Sequence, residues 1–261
     1  MPTIKSLVHN IVDEVAHNRD IMVNIIDIRA YDDYTYSHSL NVAVLSVVMG
    51  TMLGLNRKQL HDLTMGALLH DTGKMFIKKE ILNKPARLTP EEFEEIKTHS
   101  ERGYRYLCDQ LEIPENARIV ALQHHEQFSG KGYPAGLANT DIHLYGRICC
   151  VADVYDALTS DRPYRKSMLP SDAIEYIMSG YSTQFDPLVV DALAKKIAPY
   201  PVGTYVRLST GQTAIVVQNY LETGLRPRVK LIVNGEPTED YIDLAHDMSM
   251  LNVTISGIVE E

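Results

Sequence analysis

The sequence predicts a mainly α-helical protein: an antiparallel helical bundle followed by a small C-terminal β module. Through most of residues 1–199, apolar residues recur every three or four positions, which is the spacing of amphipathic or buried helices. Beyond Pro199 the pattern changes to short β-rich runs, separated by turn signals such as Asn234-Gly235. The hydrophobic content of 45% and charged content of 23% are typical of a folded chain with a sizeable core.

The first expected unit is an N-terminal helical segment over residues 1–30. Its apolar stripe runs through Leu7, Ile11 and Val15. A second stripe at helical spacing runs through Ile21, Ile25 and Ile28. An amphipathic helix of this kind packs either on the main domain or against a second copy in a homodimer. The sequence leaves both arrangements open.

The second expected unit is a helical domain over residues 31–199. The run 42–55 is too short for the ~18 apolar residues that span a bilayer, so it predicts a buried helix and no membrane span. A capping Thr89 before Pro90 predicts a helix start, and Ser171-Asp172 and Asp186-Pro187 predict two more. Glycines and a proline predict a loop over residues 129–139.

The third expected unit is the β module, over residues 200–261. It contains more acidic than basic residues, and no function follows from its sequence. Strands are predicted at residues 204–208, 213–219, 228–233 and 251–258.

Charge and cysteine content exclude some functions. The net charge of −9 argues against binding to duplex nucleic acid or to an anionic membrane surface. Three cysteines cannot form a disulfide scaffold, and the adjacent Cys149 and Cys150 lie in an apolar run typical of buried packing. We therefore expect a cytoplasmic, reducing environment.

Histidine and aspartate residues recur at intervals that match a helical bundle. The gaps from His38 to His70 (32 residues) and from His99 to His124 (25 residues) each fit a helix, a turn and a return helix. Any one of these residues alone could be a surface, capping or hydrogen-bonded side chain. The candidates are His38, His70, Asp71, His99, His124, His125 and Asp153.

As a set, five imidazoles and two carboxylates suit two divalent metals that share a bridging carboxylate. Mixed nitrogen and oxygen ligands favour iron, manganese, zinc or nickel over magnesium or calcium. Apolar residues precede His70, His124 and Asp153, which indicates that these polar groups are buried.

An ordered series of motifs runs through the helical part, and its loop contains the tripeptide Gly132-Tyr133-Pro134. The segments are residues 68–74, 81–85, 88–92, 97–99, 124–126, 130–137, 151–160 and 161–166. This series resembles the HD-GYP subfamily of the HD-superfamily metal phosphohydrolases, which the tripeptide names. The resemblance runs from about residue 31 to residue 198.

This resemblance implies an HD-type bundle in which the seven candidates bind two metals, iron or manganese, with Asp71 as the bridge. It implies catalytic roles for His70, Asp71 and Lys74. It also implies that the substrate contacts Lys74, Tyr133, Arg162 and Arg165; arginine side chains suit phosphate because they offer paired donors.

Two positions depart from the family pattern. Some members bind a third metal through a glutamate four residues before the first histidine; Tyr34 stands there in this chain, so we expect two metals. The loop usually has an aspartate where this chain has Ser129, which puts the rigidity of the loop and the substrate preference in doubt.

The implied activity is hydrolysis of cyclic di-GMP to pGpG, with a further cut to GMP as an extension, by a hydroxide that bridges the metals. Two alternatives remain: a catalytically weak cyclic di-GMP receptor, and a phosphodiesterase that prefers cyclic GMP-AMP. An upstream sensory or receiver domain and a homodimer are expected partners.

Overall fold

A computed structural model describes residues 4–17, 34–160, 167–220 and 223–259. It confirms the mainly α-helical fold with a small C-terminal sheet. A short 3₁₀ helix, Thr72–Phe76, follows the third helix. The α-helices are α1 (Ile4–His17), α2 (Tyr34–Met52), α3 (Arg57–Leu69), α4 (Lys79–Leu82), α5 (Pro90–Cys108), α6 (Glu115–Gln123), α7 (Leu144–Thr159), α8 (Pro170–Ser179) and α9 (Pro187–Lys196).

Side-chain caps fix several helix starts. Thr89 caps the start of α5, as the sequence predicts, and Glu92 completes a reciprocal capping box with it. Asp186 accepts a hydrogen bond from the backbone N–H of Leu188 and caps α9. Helix α8 begins at Pro170, one residue before the predicted Ser171, because the fixed φ of proline suits the first helical position.

Helix α2 is largely buried within the bundle. It packs against α3, α7 and α9, and Val42, Leu45 and Met49 are almost fully buried. Apolar side chains on all sides of a helix are typical of a core element, so the predicted buried helix is confirmed. In the described part of the chain, no helix combines the length and apolarity needed to cross a membrane.

The N-terminal helix packs on the bundle. Val8, Ile11 and Val12 of α1 are buried, and α1 contacts α2 and α3. Arg57 of α3 donates a hydrogen bond of 2.6 Å to Asp13 of α1. This is one of the two arrangements that its apolar stripe allows; the stripe that starts at Ile21 lies outside the described residues.

Two glycines allow the chain after α3 to meet α5. A methyl group at Gly73 would lie 1.8 Å from the carbonyl oxygen of His99 and 2.7 Å from the backbone nitrogen of Gly103. Only a residue without a Cβ fits there. The contact holds the backbone of His99 against the segment that carries Asp71.

The C-terminal strands form one antiparallel sheet with its own core. The strands are β1 (Tyr205–Leu208), β2 (Thr213–Gln218), β3 (Arg228–Val233), β4 (Glu236–Pro237), β5 (Ile242–Asp243) and β6 (Ile255–Ile258). Their order in the sheet is β4-β3-β2-β1-β6, and β5 also pairs with β3. Val206 lies opposite Ala214, which lies opposite Leu231.

The prediction for the last strand is wrong at its start. Residues 251–254 precede β6, and Met248–Met250 form a 3₁₀ turn whose start is capped by Asp247. The sequence pattern does not predict β4 and β5, because strands of two residues are too short to show alternation.

The Gly73→Ala substitution should destabilise the protein by about 1–3 kcal/mol, since the added methyl group forces two backbones apart. Urea unfolding followed by circular dichroism measures the change. The control is Gly257→Ala on β6, where a Cβ has no neighbouring atom within 4 Å. Equal stability of the two variants would contradict the proposed steric role.

Candidate metal centre

The seven candidate ligands come from five helical elements and lie together. His38 is on α2, His70 and Asp71 follow α3, and His99 is on α5. The pair His124 and His125 follows α6, and Asp153 is on α7. Two overlapping groups have ligand atoms within 4.8 Å of one another: His38, His70 and Asp71; and Asp71, His99, His124 and His125.

Asp71 belongs to both groups, and its two oxygens face different histidines. Oδ2 lies 3.2 Å from His70 Nε2 and 3.8 Å from His38 Nε2. Oδ1 lies 3.5 Å from His99 Nε2 and 3.8 Å from His124 Nε2. This is an arrangement in which one carboxylate can bridge two ions.

Asp153 stands beside the first group. Its Oδ1 lies 3.3 Å from His38 Nε2. The first group thus has two carboxylates within reach of an ion. In the second group, Asp71 lies among the ring nitrogens. Although burial outweighs it, the charge of Asp153 also acts to raise the pKa of His125.

Backbone carbonyls set the orientation of three imidazoles. The Nδ1–H groups of His70 and His99 donate to the carbonyls of residues 67 and 96, both at 2.7 Å. His124 Nδ1–H donates to the carbonyls of residues 120 and 121, each at 3.1 Å. Because a carbonyl only accepts, Nδ1 carries the proton and the lone pair of Nε2 faces the centre.

The buried acceptors at the centre fit divalent metals. His70 Nε2 and Asp71 Oδ1 are buried and have no hydrogen-bond partner among the described residues. His99 Nε2 and His124 Nε2 lie only 3.3 Å apart, although both present lone pairs. Unpaired acceptors are costly to bury, and a cation that they coordinate removes that cost.

The protonation states suit metal ligation in the second group. Burial lowers the pKa of His125 to about 4, and it lowers the pKa of His124 and His99. These imidazoles are therefore neutral at pH 7. Burial alone would raise the pKa of Asp71, but the neighbouring His70 and Lys74 outweigh it and hold the pKa low, so the carboxylate is ionised.

His38 behaves differently. Burial acts to lower its pKa, but hydrogen bonds to Asp153 and Asp156 outweigh burial and raise the pKa to about 9. Without a metal, this imidazole carries a positive charge at neutral pH.

Lys74 places a cation at the edge of the centre. Its Nζ donates to Asp71 Oδ2 at 2.5 Å, because the 3₁₀ turn after Asp71 brings position 74 back beside it. The side chain is 39% exposed, so the amine can also meet a group that enters from solvent.

Tyr133 of the Gly-Tyr-Pro loop lies against a candidate ligand. Its ring stacks on His125 at a centroid distance of 4.7 Å, and its backbone N–H donates to the carbonyl of His125. A Cβ at Gly132 would lie 2.2 Å from the backbone nitrogen of Gln127, so the loop can follow this path only with glycine there.

A buried carboxylate holds the far side of the loop. Glu126 is 1% exposed and accepts hydrogen bonds from the backbone N–H groups of Ala135 (2.8 Å) and Leu137 (3.1 Å). Ser129 donates through its backbone N–H to the carbonyl of Thr183 at 2.7 Å. The loop is thus tied at several points without the acid that Ser129 replaces.

Sequence reasoning missed two carboxylates, Glu126 and Asp156. Glu126 directly follows the histidine pair, and Asp156 follows Asp153 by three residues on α7, on the same face. Asp156 is fully buried and accepts a hydrogen bond from His38. The predicted substrate contacts Arg162 and Arg165 lie outside the described residues, as does the side chain of Tyr34.

The fold and this centre agree with the comparison to known families. A family model described as "HD domain" matches residues 20–189, and the chain belongs to that family. A solved structure of a protein from Bdellovibrio bacteriovorus, described as HDG"Y"P, has a TM-score of 0.59 and 23% identity. The match covers 72% of this chain and 60% of the other, and it supports the fold.

Curated relatives are named for cyclic dinucleotide chemistry. A cyclic di-GMP phosphodiesterase of Pseudomonas aeruginosa is 38% identical over 229 residues, which cover 88% of this chain and 55% of the relative. A 3'3'-cGAMP-specific phosphodiesterase of Vibrio cholerae is 34% identical over 190 residues, which cover 72% of this chain and 43% of the relative. The chain spans about half the length of these relatives.

The metal-free protein should be most stable near pH 6.5. Above pH 6.5, His38 loses its proton in the unfolded state but keeps it in the native state until about pH 9. The free energy of unfolding therefore falls between these pH values, by at most about 3 kcal/mol. As pH falls below 6.5, His125 binds a proton in the unfolded state, but in the native state it stays neutral until about pH 4. The free energy of unfolding therefore also falls on the acid side.

Urea unfolding in the presence of EDTA at pH 5, 6.5 and 8.5 measures this dependence. In the His38→Gln variant, the free energy of unfolding should fall much less between pH 6.5 and 8.5. Its fall between pH 6.5 and 5 should match that of the wild type. If the free energy of unfolding of His38→Gln falls as steeply above pH 6.5 as that of the wild type, His38 is not the group responsible.

The Glu126→Gln substitution should loosen the Gly-Tyr-Pro loop, since an amide cannot replace both charged acceptor contacts. Amide hydrogen exchange at Ala135 and Leu137 should accelerate about tenfold or more. Glu236→Gln, at an exposed position on β4 of the C-terminal sheet, is the control and should leave both rates unchanged. If the amides of Ala135 and Leu137 exchange as slowly in Glu126→Gln as in the control, Glu126 does not hold the loop.

Proposed function

We propose that this chain is a metal-dependent phosphodiesterase that hydrolyses cyclic di-GMP to pGpG. The observation that carries the proposal is the convergence of buried, unpaired acceptor atoms from His70, Asp71 and their neighbours on one centre. The names of the curated relatives support cyclic di-GMP as the substrate class.

The residues that would hold the two metals are the seven predicted ligands, with Asp71 shared between the ions. The mixed nitrogen and oxygen ligands favour iron or manganese. When bound, the metals supply positive charge for the phosphate and lower the pKa of water so that it can attack at neutral pH.

In the proposed reaction, one water adds to one phosphodiester. A bond forms between the water oxygen and phosphorus, the bond to the ribose 3′ oxygen breaks, and a proton passes to that oxygen. Repetition on the linear product would give GMP.

The chain's own groups have separate tasks in this reaction. His70 and Asp71 anchor the two halves of the centre. Lys74 stabilises charge on the non-bridging phosphate oxygens, since its amine lies at the exposed edge of the centre. Tyr133 contacts the substrate from the loop, and Arg162 and Arg165 bind its phosphates through paired donors.

A second substrate has specific support. Relatives from Vibrio cholerae named as specific for 3'3'-cGAMP match 72% and 66% of this chain. A preference for cyclic GMP-AMP is therefore the alternative within the same reaction. A receptor that binds cyclic di-GMP without cleavage is the alternative from another class. An upstream sensory or receiver domain and a homodimer stay predictions from the sequence.

The combined replacement of His70 and Asp71 by alanine should reduce turnover of cyclic di-GMP at least about a thousandfold, because both halves of the centre lose a ligand. Protein purified without oxygen is analysed for metal content and for pGpG by chromatography, with cyclic GMP-AMP tested in parallel. His246→Ala, an exposed histidine of the β module, is the control and should keep full activity.

The outcomes separate the candidates. About two metals per chain and pGpG formation support the proposal. Faster cleavage of cyclic GMP-AMP favours the second substrate, and tight binding without cleavage favours the receptor. Wild-type turnover by the double variant would show that the site assignment is wrong.

A further inference from the structure

The feature that the proposed reaction leaves unexplained is Asp156 on α7. Its side chain is fully buried, and its Oδ2 accepts a hydrogen bond of 2.7 Å from His38 Nδ1–H. Its other oxygen, Oδ1, accepts from Asn41 Nδ2 at 2.8 Å and from Ser160 Oγ at 3.1 Å. A buried carboxylate with three aligned donors is a fixed acceptor rather than a solvated charge.

His38 differs from three other candidate ligands in the acceptor that its Nδ1–H group contacts. His70, His99 and His124 each donate Nδ1–H to a backbone carbonyl three or four residues earlier. His38 instead donates to a carboxylate that is 118 residues away in the chain and on another helix. A carboxylate is a stronger acceptor than a carbonyl, so it fixes the tautomer and makes Nε2 a better electron donor.

The charge distribution adds to this difference. The first half of the centre has Asp71 and Asp153 beside His38, with Asp156 directly behind the ring. Lys74 beside Asp71 Oδ2 offsets one of these three negative charges. The second half has Asp71 with three imidazoles, so a divalent cation is attracted more strongly to the first half.

We propose that Asp156 is a positioning residue, which orients His38 and makes the His38–His70 half the tighter of two unequal metal sites. Asn41 and Ser160 hold Asp156 in place for this task. The inference rests on the metal dependence in the proposed function, and it does not depend on which cyclic dinucleotide is cleaved.

Titration of the metal-free full chain with Mn²⁺ tests the proposal, with free Mn²⁺ followed by electron paramagnetic resonance. The wild type should show one tight and one weaker site. Asp156→Asn keeps the shape but removes the charge, and it should weaken the tight site about 10–100-fold while the weaker site is unchanged. The visible spectrum of the Co²⁺-loaded variant should change as well, since the His38 ring is no longer held.

The matched control is Asp62→Asn, which alters another buried carboxylate, on α3 and paired with Lys58. It should bind Mn²⁺ as the wild type does. Circular dichroism and urea unfolding of the metal-free proteins check that each variant folds. If Asp156→Asn does not fold, Ser160→Ala removes one hydrogen bond to Oδ1 and should weaken the same site by a smaller factor.

Three results would overturn the inference. A folded Asp156→Asn variant with wild-type Mn²⁺ binding would remove Asp156 from this role. Equal weakening of both sites, or weakening by Asp62→Asn, would indicate a general structural effect. By contrast, a wild-type chain that binds neither Mn²⁺ nor Co²⁺ would overturn the proposed metal-dependent function itself.

Discussion

The packing of the bundle around Asp71 creates an unbalanced set of buried acceptors. Four helices place imidazole nitrogens around one carboxylate, and three of those imidazoles have their only ring proton committed to a backbone carbonyl. The Nε2 atoms that these three imidazoles present to Asp71 can accept but not donate. Unpaired buried acceptors are costly, so this arrangement favours a bound cation, as the proposed function requires.

The surrounding structure keeps these atoms in place by close backbone contacts. Gly73 and Gly103 let the segment after α3 lie directly on α5, which fixes His99 relative to Asp71. Gly132 lets the loop that carries Tyr133 fold back onto residues 125–127. Each contact depends on the absence of a side chain, so the glycines of these motifs are steric requirements.

Two buried carboxylates outside the seven candidate ligands hold neighbouring groups by hydrogen bonds. Asp156 accepts a hydrogen bond from His38 Nδ1–H on another helix, and Glu126 accepts from two backbone N–H groups of the loop. The loop anchor also answers the concern raised by Ser129, because Glu126 and the backbone contact to Thr183 hold the loop without an acid at position 129. The β module has a separate apolar core around Val206, Ala214 and Val229.

The sequence alone determined the helical bundle, the C-terminal strands, the helix start at Thr89 and the set of candidate ligands, because these follow from local periodicity, capping and motif order. It did not determine β4 and β5, which are too short to carry a pattern, or the 3₁₀ turn that delays β6. The packing of the helices sets which oxygen of Asp71 faces which histidine, and it buries Asp156 and Glu126 as acceptors. Those features depend on contacts between residues distant in the chain, such as His38 and Asp156, which local sequence patterns do not record.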